Sequence, residues 1–72
     1  MTHQSDFYER AAPYIRRLGE TSDPATRRTL CLLHEEWVTL GNSVGSISKE
    51  SLAAEIARIE CLESEFNSGL LY

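Results

Sequence analysis

One run of side chains limits this chain more than any other feature. Leu30, Leu33, Trp37, Leu40 and Val44 step by three, four, three and four, the spacing of an apolar seam along one side of an α-helix. The seam starts just after Asp23-Pro24 and ends in Gly41-Asn42-Ser43-Val44-Gly45-Ser46. Asp accepts from the free N–H groups of a first turn, and Pro has no N–H to strand there. The glycine- and serine-rich stretch breaks the pattern. A helix is therefore predicted over about 24–42, with Cys31, His34 and Val38 beside the seam and widening its apolar stripe.

Two further amphipathic segments flank it. The first covers about 7–19, with Phe7, Ala11, Tyr14, Ile15 and Leu18 on one face. Asp6 and Glu9 have the spacing of a capping box, and Gly19 fits a C-terminal cap. Pro13 supplies no N–H for the Glu9 carbonyl, so it either kinks this helix or marks a true start near Ala12. The third segment covers about 49–66. Ser48 is its cap, and Ile47 is placed to pack on Leu52. Leu52, Ile56, Ile59 and Phe66 carry its stripe, with Ala53, Ala57 and Leu62 alongside. Glu63 falls on that stripe and narrows it. Gly69 ends the segment, and Leu70-Leu71-Tyr72 follow as a short apolar tail. No window alternates β-branched and polar residues as a strand would.

The expected fold is all-α: an antiparallel helical hairpin plus a third amphipathic helix, closed as a three-helix bundle or as a dimeric helical bundle. The link of about four residues between the first two segments makes them antiparallel neighbours. That register sets Leu18 near Thr26, Tyr14 near Leu30, Ala11 near Leu33 and Phe7 near Trp37. The third helix, about 27 Å long at 1.5 Å per residue, can fold back over the hairpin or cross to a second chain. Seventy-two residues hold one small domain, 1–72. A chain of this size buries only about 60% of its unfolded surface, so a second copy that covers more apolar area is expected. Trp37, Leu33, Leu40, Tyr14, Ile56 and Phe66 are the expected core or interface anchors, and the Trp37 indole N–H needs an acceptor.

Residues 7–40 resemble a set of very short alphaproteobacterial helical-hairpin proteins of unknown function. The resemblance lies in Glu9-Arg10-Ala11, in Arg16-Arg17-Leu18, in Asp23-Pro24-Ala25-Thr26-Arg27 and in Glu35-Glu36-Trp37. It implies a bacterial helical hairpin and no activity. Pro13 departs from the uninterrupted first helix of that pattern.

Charge and composition exclude several functions. Seven Lys and Arg against eleven Asp and Glu leave a net charge of −4, which opposes binding to nucleic-acid backbones or anionic membranes. The longest apolar run, Leu30-Cys31-Leu32-Leu33, is far short of the roughly 20 residues that span a bilayer. The N-terminus has neither a basic region nor an apolar stretch, so no signal peptide is expected and a cytoplasmic location follows. Cys31 and Cys61 are then expected as thiols.

Candidate chemistry is sparse. Cys31 and His34 have metal-ligand spacing, and Cys61 and His3 would complete a set of four, but zinc motifs pair their ligands locally in two knuckles. His34-Glu35-Glu36 lacks the second histidine of a zinc-protease helix, because position 38 is valine. Cys31 and His34 as nucleophile and base lack an oxyanion hole. No catalytic residue, metal or cofactor is expected. Arg16, Arg17, Arg27 and Arg28 gather at one end of the hairpin, where Glu20, Asp23 and the helix dipole can satisfy them. The third segment carries five glutamates, Glu50, Glu55, Glu60, Glu63 and Glu65, against Lys49 and Arg58, an acidic solvated face. The functional expectation is a non-enzymatic protein–protein interaction module, self-associating as a homodimer or meeting another protein partner. The alternative is a small-ligand or metal-binding helical protein using Cys31, His34 and Cys61.

Overall fold

A computed structural model describes residues 4–68. Three helices follow one another: α1 (Gln4–Leu18), α2 (Pro24–Ser43) and α3 (Lys49–Asn67). No strand occurs among the described residues. The expected all-α hairpin with a third helix is the fold observed. The principal extents are 37 × 21 × 16 Å, the proportions of a short bundle. Gly69, the tail after it and His3 lie outside the described residues.

The helix starts follow local chemistry. Asp23 sits at the N-cap of α2 in extended backbone and accepts from the Thr26 N–H at 2.8 Å, with Pro24 at the first helical position. The Thr26 hydroxyl donates to the same carboxylate oxygen at 2.8 Å. The Asp23 carboxyl is consequently held below its usual range, chiefly by the Thr26 amide. Ser48 caps α3 in the same way, accepting from the Ser51 N–H at 3.1 Å. Ile47 and Leu52 both pack against the core beside that cap.

Two expectations need correction, and one open choice is decided. First, α1 begins at Gln4, so Asp6 stands in its first turn rather than at its cap, where a carboxylate still complements the helix dipole. Second, Pro13 lies inside α1 and does not begin it. Phe7 and Ala11, buried ahead of the proline, and Leu18, half-buried against the core after it, hold the helix together across the missing N–H. Third, Gly41 is not a breaker. It is buried within α2, and a Cβ there would lie 3.0 Å from Tyr8 Cε1 and 3.1 Å from Phe7 Cβ. The absent side chain lets the first turn of α1 press directly onto α2.

The core comprises Phe7, Ala11, Leu30, Leu33, Trp37, Leu40, Ile59 and Phe66. The hairpin register is as expected: the Phe7 and Trp37 rings stack with centroids 6.1 Å apart. Helix α3 folds back onto its own hairpin, presenting Ile59 and Phe66 to the core. Its contacts with α1 run through long side chains, Arg10 and Tyr14 to Glu60 and Glu63. Of the expected anchors, Trp37, Leu33, Leu40 and Phe66 are buried, whereas Tyr14 and Ile56 are half-buried. Ala53 and Ala57, placed on the α3 stripe by spacing, are exposed, because α3 meets the hairpin along a narrower face than the pattern suggests. No helix among the described residues is long and apolar enough to cross a membrane.

Candidate functional site

The best-built polar cluster lies where all three helices meet. Trp37, fully buried at 0% exposure, donates its indole N–H to a Glu63 carboxylate oxygen at 2.9 Å. The Tyr14 hydroxyl donates to that same oxygen. Arg10 lies 3.6 Å from the other Glu63 oxygen and 3.2 Å from Glu60. Its guanidinium stacks over the Trp37 ring at 4.0 Å, a cation–π contact. Burial raises the Tyr14 pKa well above its ordinary value, and the hydrogen bond to the Glu63 carboxylate raises it further.

Glu63 is the residue that pattern reading placed correctly and interpreted too narrowly. Its position on the stripe interrupts the apolar face, and the indole of Trp37 needs an acceptor; the two requirements meet in one contact. Every oxygen and donor of the cluster serves another helix. The Glu63 side chain retains 18% exposure at its rim, and no buried polar side-chain atom among the described residues lacks a partner. The cluster ties α1, α2 and α3 together, and its outer side, Arg10, Glu60 and Glu63, lines an open hollow with Ser64, Asn67 and Ser68.

The four arginines stand at one end of the hairpin, in the last turn of α1 and near the start of α2, but their side chains go to separate partners. Arg27 donates to the Leu18 carbonyl at 2.7 Å and the Thr21 carbonyl at 2.8 Å, closing the C-terminal end of α1. Arg17 lies over the Phe66 ring at 5.0 Å. Arg28 faces Asp23 electrostatically, and Arg16 lines a different surface. Arg58 on α3 bridges Glu36 of α2 and Glu55, so its pKa is raised chiefly by Glu55.

The metal alternative finds no convergent ligand set. Cys31 and Cys61 are free and exposed on different helices, and among the described residues no three or more His, Cys, Asp and Glu side chains gather to hold an ion. His34 lies instead in a groove between α1 and α2, with Tyr8, Ala11, Ala12, Ile15, Arg16 and Val38. This groove is apolar and faces away from α3. Within it Ile15 is 50% exposed and Tyr8 37%. The Tyr8 hydroxyl is fixed by donation to Asn42 Oδ1 and by acceptance from Gln4 Nε2 at 2.7 Å, so its ring is held in place at the groove. A smaller cleft of 300 Å³ separates α2 from α3, lined by Glu36, Thr39, Leu40, Ser43, Ile47, Ser51, Glu55 and Arg58. Its arginine is already engaged by the two glutamates.

Among the described residues the fold and surface define a class: a small three-helix bundle with an internal polar tie and an uncovered apolar groove between α1 and α2. Comparison with protein-family models, with curated proteins and with solved structures finds no match for this chain.

Proposed function

We propose that this protein is a non-enzymatic, cytoplasmic helical module that acts through protein–protein contact and self-associates. The observation that carries the reading is the groove between α1 and α2. Isolated exposed apolar residues are ordinary on protein surfaces, but Tyr8, Ala12, Ile15 and Val38 line one continuous concavity. Apolar side chains gathered in one hollow, with Tyr8 and Ile15 large and exposed, support an interaction site there. The polar groups near the core support the same reading, since they are consumed in holding helices together. The net charge of −4 turns the preference toward protein rather than phosphate partners. Sedimentation velocity across low to high micromolar protein tests the proposal. The expected result is a mass rising with concentration toward a small oligomer. A strict monomer throughout overturns self-association.

A further inference from the structure

We propose that the groove is filled by a second copy of this chain, seated antiparallel about a two-fold axis passing beside Ala12. The proposal rests on the self-association read above and names its surface.

The argument begins with α1. Tyr8, Ala12 and Ile15 are four and three residues apart, so they share one side of the helix. Glu9 and Arg16 are seven apart, two turns, and flank that side along the same edge. Both are exposed, and among the described residues neither has an ion-pair partner within its own chain. A two-fold axis that crosses a helix makes the pair of helices antiparallel and each contact occur twice. With the axis beside Ala12, the turn bearing Tyr8 and Glu9 meets the partner's turn bearing Ile15 and Arg16. Tyr8 then lies on the partner's Ile15, and Glu9 faces the partner's Arg16. Alanine at the centre permits close approach of the two backbones, about 8 Å between axes. His34 and Val38 of α2 form the far wall of the groove against which the partner's α1 would rest.

Charge selects this arrangement over others. A parallel pairing of α1 sets Glu9 against Glu9 and Arg16 against Arg16. A pairing through α3 sets an acidic face against itself, five glutamates against Lys49 and Arg58. The face of α1 is balanced and self-complementary, and it carries two of the three large apolar side chains described as exposed, Tyr8 and Ile15.

The test is a charge exchange. Glu9→Arg and Arg16→Glu are made singly and together, with circular dichroism recording helicity and sedimentation recording association. Each single change places like charges together twice and should weaken association at least about tenfold. The double change restores opposite charges and should recover most of the loss. In a Cys31→Ser, Cys61→Ser background, Ala12→Cys should form a symmetric disulfide under mild oxidation, since the two Cβ atoms then lie within bridging reach. If the native chain associates but ignores both single changes and Ala12→Cys does not cross-link, this surface is wrong while the module reading stands. If the native chain never associates, both fail together.

Discussion

Glu63 shows how much one side chain can be asked to hold. Its carboxylate accepts from the buried indole of Trp37 and from the Tyr14 hydroxyl while pairing with Arg10. Glu63→Ala should therefore leave a buried N–H without an acceptor, and a cost of about 1–3 kcal/mol is expected by urea denaturation. Glu63→Gln keeps a carbonyl oxygen for the indole and should cost less. Tyr14 gives a pH signature. Its ordinary pKa is 10.0, and the folded chain holds the proton more tightly. Above about pH 10 the unfolded state therefore binds fewer protons than the native state, and stability falls with rising pH. The contribution is complete below that value and lost above it. Tyr14→Phe should flatten this alkaline loss from about pH 10 upward; an unchanged slope would mean that neither burial nor Glu63 holds the proton of the hydroxyl.

At the scale of elements, capping chemistry and periodicity made the fold legible. Asp23-Pro24 and Ser48 open α2 and α3 where their sequences say, because short polar side chains before an apolar stripe have one efficient use. The glycines were harder to read. Gly41 has the chemistry of a breaker, yet the close packing of Phe7 and Tyr8 from another helix requires that residue in mid-helix. No local pattern reports a contact between residues so far apart in sequence. Gly41→Ala tests the point. Helix propensity alone favours alanine by about 1 kcal/mol, but contacts at 3.0 and 3.1 Å oppose it. We expect net destabilisation, of about 1–3 kcal/mol for overpacking, measured by thermal melting. The start of α1 was similarly hidden, since Asp6 and Glu9 imitate a cap and the preceding turn carries no apolar signal.

For the whole molecule, the core is thin and depends on few large side chains. A chain of 72 residues has a total stability of roughly 4–11 kcal/mol. Trp37→Ala removes the largest fully buried side chain, at a cost of about 3–5 kcal/mol. Loss of most cooperative unfolding is expected by circular dichroism, with α3 released along with the hairpin because the ring touches both. The candidate surface was partly visible in advance. The width of the α2 stripe, with His34 and Val38 beside the seam, already exceeded what one short helix covers, but which flank stays bare depends on where α3 lands. The folded chain places α3 on the Arg10 and Tyr14 side and leaves Tyr8 and Ile15 uncovered.

The position of Trp37 has a practical corollary. It is the chain's sole tryptophan, and it is wedged where three helices converge under a guanidinium and against a carboxylate. Its emission is thus a built-in gauge of whether the third helix is docked. Undocking would admit water to the indole and strip away its anionic neighbour, shifting the fluorescence to the red before helicity is lost, with no label required.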